Sequence, residues 1–216
     1  MLCDLFLGRK PFPSRTIEDL KSYVKILFID DEYFSIVKQL KEKDNWKYVS
    51  RIPDVDSISQ PEIADAHIIL VDIQGVGKKM NFADGGLGLI LAIHHEYPEK
   101  KIIMYSAEAA GKIDAFHSAQ DAIDGRLRKT ASRYEFDSKI AYLAQEIFCL
   151  DSCIKHIKEV LWKEIGVNMS EEEIKEVIEK IYSKGEYSSP QKMAKYFKLS
   201  NIGSVASIIQ LLCSFG

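Results

Sequence analysis

Short apolar runs alternate with helical segments between Lys25 and Lys129, and this alternation constrains the fold more than any other feature of the sequence. The runs, which are rich in β-forming residues, are KILFID, WKYVSRI, AHIILVDI, KIIMYSA and AIDGRLRK. Strands that alternate with helices form a parallel sheet covered on both faces. Right-handed crossovers restrict such a sheet to a doubly wound form. We therefore predict a doubly wound α/β fold with five parallel strands, in the order 2-1-3-4-5.

The spacing of apolar residues changes near residue 135 and is helical from there to the end of the chain. Steps of three and four residues alternate along a heptad seam made of Ile140, Leu143, Ile147, Leu150, Ile154, Ile157 and Leu161. Such a seam predicts one long helix that serves a homodimer interface or a bundle core. Ser170 and Glu173 form a capping box that begins a further helix. We predict an N-terminal extension over 1–23, an α/β domain over 24–135 and an all-α domain over 136–216.

Charge and composition argue against two classes of partner. The net charge is −3, and neither the part before residue 135 nor the part after it is basic, so we expect no nucleic-acid partner. The last helical segment, SVASIIQLLCSF, is apolar and uncharged, which favours contact with another protein or a second copy of the chain. No apolar run reaches the roughly 18 residues that span a bilayer, so we expect no membrane segment. The four cysteines lack metal-site spacing, and we expect a cytoplasmic protein.

Acidic residues end two of the predicted strands. Asp30 and Asp31 follow the first strand, and Asp72 ends the third, its neighbour in the predicted order. Functional sites gather at the carboxyl edge of such a sheet, where Ser106 ends the fourth strand and Lys129 the fifth. Crowded carboxylates repel each other unless a cation neutralises them, and oxygen ligands suit Mg²⁺. A carboxylate nucleophile, a metal ion, a hydroxyl and an ammonium together predict a phosphoryl-transfer site.

The segments ILFIDDE, IILVDI, IIMYSA and RLRK resemble the receiver (CheY-like) domain of two-component response regulators, over about residues 24–135. The resemblance implies that Asp72 is the phospho-acceptor. It also implies that Asp30 and Asp31 support Mg²⁺ with Asp72, and that the backbone carbonyl of Gln74 is a further ligand. Ser106 and Lys129 are implied to sense the phosphoryl group.

This resemblance implies a phosphorelay function. A histidine kinase or phosphotransfer protein would phosphorylate the receiver, and the helical domain would signal to a protein partner or through a homodimer. The chain would not be an enzyme, apart from self-catalysed phosphotransfer and dephosphorylation. Two alternatives stay open. One is a transcriptional regulator that binds DNA through a C-terminal helix-turn-helix, and the other is an adaptor with a receiver fold that signals without phosphate.

The sequence departs from the family pattern at three places. A long, glycine-rich segment, IQGVGKKMNFADGGLGL, follows Asp72 and is expected to cover or reshape the site. Arg126 stands about where the family has an aromatic residue in the fifth strand. Thr130 replaces the proline that usually follows the lysine.

Overall fold

The structure, a computed structural model, describes residues 15–107 and 118–213. Most of the predicted N-terminal extension, residues 1–14, lies outside these ranges. The described chain forms two compact units, one from Thr16 to Ile147 and one that begins at Phe148. No helix in the described ranges is both long enough and apolar enough to cross a bilayer.

The first unit is built on a parallel sheet. Its strands are β1 (Lys25–Ile29), β2 (Tyr48–Ile52), β3 (Ile68–Asp72), β4 (Lys101–Ser106) and β5 (Gly125–Arg128). The observed order is β2-β1-β3-β4-β5, which confirms the predicted doubly wound α/β fold. The helices of this unit are α1 (Ile17–Lys21), α2 (Ser35–Glu42), α3 (Pro61–Asp65), α4 (Gly86–Glu96) and α5 (Arg133–Ile147). A short 3₁₀ turn covers Ser118–Gln120.

Side-chain alternation divides the sheet into two differently used faces. One face is aliphatic and packs on α3 and α4 through Leu27, Ile29, Ile69, Val71, Ile102, Met104, Ile63, Leu89 and Ile93. The opposite face carries Phe28, and the strand register places Asp72 beside Tyr105 on that same face. Phe136 of α5 packs on this second face against Phe28 and Tyr105. The acidic residues therefore lie at the carboxyl end of the sheet face that α5 covers.

Helix α5 belongs to the first unit, not to the helical domain. Its buried face consists of Phe136, Ile140, Leu143 and Ala144. Two polar contacts fasten the start of the helix: Arg133 pairs with Asp44, and the indole Nε1 of buried Trp46 donates to Asp137 Oδ1 at 2.7 Å. The chain therefore divides after Ile147, and the boundary predicted near residue 135 is too early by the length of α5.

The predicted long helix is interrupted. Helix α5 ends at Ile147, and α6 (Leu150–Val160) begins after Cys149, whose backbone is extended, with φ −74° and ψ 154°. The seam consequently serves two cores. Ile140 and Leu143 are buried in the first unit, whereas Ile154, Ile157 and Leu161 are buried in the second. A heptad pattern can run through two successive helices that each bury one apolar face, so it offers no continuous dimer interface here.

The second unit is all-α, as predicted. After α6, a π-helical turn covers Leu161–Ile165, followed by α7 (Glu171–Ser183), α8 (Pro190–Tyr196) and α9 (Gly203–Cys213). The predicted capping box is confirmed, because Ser170 accepts from the N–H of Glu173 while the Glu173 carboxylate accepts from the N–H of Ser170. All four helices contribute to one core, which includes Ile154, Ile157, Ile174, Ile178, Met193, Phe197, Val205 and Ile209.

The placement of α5 can be tested at Asp137. Replacing Asp137 with Ala leaves the buried indole N–H of Trp46 without its acceptor, which we expect to lower the free energy of unfolding by about 1–3 kcal/mol. Chemical denaturation of the full chain, followed by Trp fluorescence, measures this. The control Gln145→Ala changes an exposed residue of the same helix and should stay within about 0.5 kcal/mol of the wild type. Equal stabilities for the two variants would contradict the packing of α5 described above.

Candidate functional site

Three carboxylates meet at the carboxyl edge of the sheet. Asp30 follows β1, Asp31 comes next, and Asp72 is the last residue of β3, the neighbour of β1. One carboxylate oxygen from each lies within 4.8 Å of the others. Asp30 and Asp72 are buried, whereas the Asp31 side chain is 40% exposed. The structure thus brings together the three acids that the sequence placed at strand ends.

Lys129, which follows β5, lies between the two buried acids. Its Nζ is 2.7 Å from Asp72 Oδ2 and 3.2 Å from Asp30 Oδ1, and it also approaches Glu32 Oε2 at 3.7 Å. Burial lowers the pKa of Lys129, but the hydrogen bonds and charges of Asp72 and Asp30 together outweigh that effect, so the pKa lies above its usual value. The ammonium therefore remains charged and compensates the buried carboxylates.

Asp72 itself is held by opposing influences. Burial raises its pKa above the usual value, while the hydrogen bonds from Lys129 and from the backbone N–H of Gln74 act in the opposite direction. The Gln74 N–H lies 3.2 Å from Asp72 Oδ1. This contact fixes the first turn of the loop beside the carboxylate. The predicted role of the Gln74 carbonyl as a metal ligand stays a prediction.

Ser106 is the last residue of β4 and is buried at the same edge of the sheet. It directly follows Tyr105, the register partner of Asp72. Its backbone carbonyl accepts the N–H of Lys129 at 2.7 Å. This bond extends the β4–β5 pairing by one residue and brings Lys129 to the acids. The hydroxyl's proposed contact with a phosphoryl group stays a prediction.

Tyr105 is a member of the site that the sequence analysis did not identify. Its hydroxyl donates to Asp30 Oδ2 at 2.8 Å, and burial together with the charge of Asp30 raises the pKa of the phenol far above its usual value. The ring stacks on Phe34 with centroids 5.3 Å apart and meets Phe28 and Phe136 edge-on. The strand period puts Tyr105 on the face of Asp72, but it does not reveal where the hydroxyl points.

The aromatic residue beside the site is therefore on β4 and not on β5. Arg126, at the position where the family has its aromatic residue, is exposed and lies in register with Met104. Tyr105 instead joins the acids to a cluster of phenylalanines from β1, the segment before α2, and α5.

The glycine-rich loop passes directly over the acids, as its length suggested. Gly75 has a positive φ of 86°, and a Cβ added there would lie 2.1 Å from Asp31 Oδ1. Gly86, the first residue of α4, approaches β3 so closely that a Cβ would lie 2.3 Å from the Asp72 carbonyl oxygen. The loop also brings the ammonium of Lys78 to 3.8 Å from Asp31 Oδ2. A larger residue at Gly75 would clash with the Asp31 side chain, and one at Gly86 would clash with the backbone of Asp72 and Ile73.

The donor set fits a hard divalent cation. The converging side-chain donors are all carboxylate oxygens, which Mg²⁺ prefers over nitrogen or sulfur ligands. Asp31 is the acid most open to solvent, and Asp30 already accepts from Tyr105, Lys129 and the N–H of Glu32. Asp72 likewise accepts from Lys129 and from the Gln74 N–H, so Asp31 is the acid of the cluster most accessible to an ion.

Comparisons with known proteins bear on the fold. No protein-family profile and no curated protein matches the sequence. A solved structure of RcsB from Salmonella enterica serovar Typhimurium is 18% identical over 87% of each chain, with a TM-score of 0.45. A CheY-like receiver domain from Methanospirillum hungatei JF-1 is 20% identical over 58% of this chain and 96% of its own, with a TM-score of 0.44. The strand order β2-β1-β3-β4-β5 of the first unit is itself the order that the sequence analysis predicted.

One expectation from the sequence is wrong, namely that nucleic acid is not a partner. The RcsB structure is described as bound to the promoter rprA. Another, with 20% identity over 87% of this chain and 88% of its own and a TM-score of 0.46, is described as two RcsB dimers bound to two parallel DNAs. The structural reason lies in α9: Val205, Ile209 and Leu212 are buried in the helical core. These residues do not form the apolar surface on which the expectation rested.

The hydrogen bond between Tyr105 and Asp30 yields a stability prediction. Tyr105→Phe keeps the ring but leaves Asp30 Oδ2 buried without this donor, so we expect the free energy of unfolding to fall by about 1–3 kcal/mol. Tyr142→Phe is the matched control, because that hydroxyl donates to Glu146 on an exposed part of α5. We expect the control to change stability by less than about 0.5 kcal/mol. Urea denaturation measures the free energy of unfolding of both variants. A Tyr105→Phe variant as stable as the wild type would show that the hydrogen bond is not formed in solution.

Proposed function

We propose that this chain is a response regulator whose receiver unit accepts a phosphoryl group on Asp72. The observation that carries the proposal is the buried bridge from Lys129 to Asp72 and Asp30, beside Asp31, at the carboxyl edge of β1 and β3. Asp72 has the requirements of a nucleophile, because it lies next to an ammonium that favours its charged form at a buried position.

The transfer step is an attack by a carboxylate oxygen of Asp72 on the phosphorus of the donor. A new O–P bond forms an aspartyl phosphate, and the bond from phosphorus to the leaving group breaks; with a phosphohistidine donor this is a P–N bond and the imidazole leaves. Lys129 lies 2.7 Å from Asp72 Oδ2, and its ammonium would contact the oxygen atoms of the transferred group. Ser106, at the end of the adjacent strand, is the candidate hydroxyl donor to the same group.

A divalent ion fits this chemistry. We propose that Asp31, Asp72 and the Gln74 carbonyl hold Mg²⁺, which when bound neutralises carboxylate and phosphoryl oxygens. Asp30, the third acid of the cluster, would support the ion and also positions Lys129, because Tyr105 donates to one of its oxygens and Lys129 to the other. Asp30 thereby holds Lys129 toward Asp72, and its own charge stays compensated in the buried interior.

The protein would be the substrate of its partner and not an enzyme with a separate substrate. A histidine kinase or a phosphotransfer protein would supply the phosphoryl group. Helix α5, whose Phe136 contacts Tyr105, ends at Ile147, and the helical unit begins at the next residue of the chain. We propose that the helical unit, which folds around a core of its own, carries the output.

Phosphorylation of Asp72 can be measured directly. Incubated with Mg²⁺ and acetyl phosphate, the wild-type protein should gain one phosphoryl group in intact-mass spectra, and base should remove it, as expected for an acyl phosphate. Asp72→Asn removes the nucleophilic oxygen and should abolish the gain. The control Asp121→Asn makes the same change at an exposed acid outside the site and should be labelled like the wild type.

Two results would contradict the proposal in different ways. Undiminished labelling of Asp72→Asn would assign the phosphoryl group to another residue. A wild-type protein that is folded and binds Mg²⁺ but never gains a phosphoryl group would instead favour the adaptor that signals without phosphate.

A further inference from the structure

The glycine-rich loop, defined here as residues 73–85, is fixed in place by a buried acid outside the phospho-acceptor site. Asp54 follows β2, and its Oδ1 accepts the N–H of Gly77 at 2.6 Å, while its Oδ2 accepts the N–H of Lys79 at 3.0 Å. Burial raises the pKa of Asp54, but its backbone hydrogen bonds, including one from Lys78, outweigh that effect and lower the pKa below its usual value. Asp54 is therefore a charged anchor for three successive loop residues.

The loop is compact as well as anchored. Gly77 has a φ of 79°, and a Cβ there would lie 2.6 Å from the carbonyl oxygen of Gly85, so Gly77 packs closely against the last residue of the loop. Phe82 donates its N–H to the Gly77 carbonyl at 3.1 Å, and Asn81 donates to the Lys78 carbonyl at 3.0 Å. These bonds determine where the backbone of Lys78 lies.

The two lysines of the loop have different partners. Lys79 pairs with Asp56 at 2.9 Å, beside the anchor and outside the acid cluster. Lys78 extends to the acid cluster, where its Nζ lies 3.8 Å from Asp31 Oδ2. Asp31 is the most exposed of the clustered acids and also contacts the loop at Gly75. Among the described contacts, Lys129 pairs with Asp30 and Asp72 but not with Asp31. Lys78 therefore approaches the remaining acid of the cluster.

We propose that Lys78 is a built-in counter-ion of Asp31 that competes with the divalent cation for this carboxylate, so that the anchored loop sets the metal affinity of the site. The inference rests on the proposed function, because it takes the acid cluster as the place where the ion binds. An ion that binds Asp31 must displace the ammonium and then remain close to a like charge. In the absence of the ion, Lys78 neutralises part of the charge of the acids.

The test is the dissociation constant of Mg²⁺ for the full-length protein, measured by calorimetry without any phosphodonor. Lys78→Gln removes the competing charge, so we expect Mg²⁺ to bind about 3- to 10-fold more tightly at low ionic strength. Because the competing ammonium is exposed, added salt should narrow this difference. Lys78→Arg keeps the charge and should bind Mg²⁺ within about twofold of the wild type.

Lys79→Gln is the matched control, since it removes the same charge from the next loop residue while sparing Asp31. Its dissociation constant should stay within about twofold of the wild type. The proposed role of Lys78 would be overturned if Lys78→Gln bound Mg²⁺ no more tightly than the wild type. It would also be overturned if Lys79→Gln gained as much Mg²⁺ affinity as Lys78→Gln, and in both cases the proposed function would still stand. If neither the wild type nor any variant bound Mg²⁺, the metal site of the proposed function would be wrong, and this inference would be wrong as well.

Discussion

The ammonium of Lys129 lies between two carboxylates that the fold buries almost completely, and the rest of the site depends on this interaction. Removing one charge from water costs several kcal/mol even after relaxation, so two adjacent buried acids require compensation. Lys129, the Tyr105 hydroxyl and the backbone N–H groups of Glu32 and Gln74 supply it. Hydrogen bonds to charged groups contribute about 1.5–3 kcal/mol each, which is the right magnitude to offset the burial.

The same arrangement connects the acids to the packing of the first unit. Asp72 and Tyr105 are register partners, and the Tyr105 ring contacts Phe34 and Phe136. A change in the charge or hydrogen bonding of Asp30 thus acts on a side chain that packs directly on α5. The loop adds a second connection, because Asp54 fixes the backbone from which Lys78 approaches Asp31.

Much of this architecture could be predicted from the sequence, and the features that were predicted wrongly or not at all have identifiable physical causes. Strand order and the convergence of Asp30, Asp72 and Lys129 follow from periodicity and from the geometry of parallel sheets. The domain boundary was wrong because the heptad pattern runs on through two helices that serve different cores. The hydroxyl contact of Tyr105 and the anchor at Asp54 depend on side-chain directions and loop conformation, for which a single sequence carries no periodic signal.

Anomalous diffraction from crystals grown with Mn²⁺, as a stand-in for Mg²⁺, tests the central claim most directly. The claim is that the acids at the ends of β1 and β3 form a divalent-cation site around Asp72, the proposed phospho-acceptor. The account predicts one strong anomalous peak in contact with carboxylate oxygens of Asp31 and Asp72, with Lys129 still paired to Asp30. The absence of a peak at these residues at saturating Mn²⁺, or a peak bound elsewhere with the acids unchanged, would contradict it.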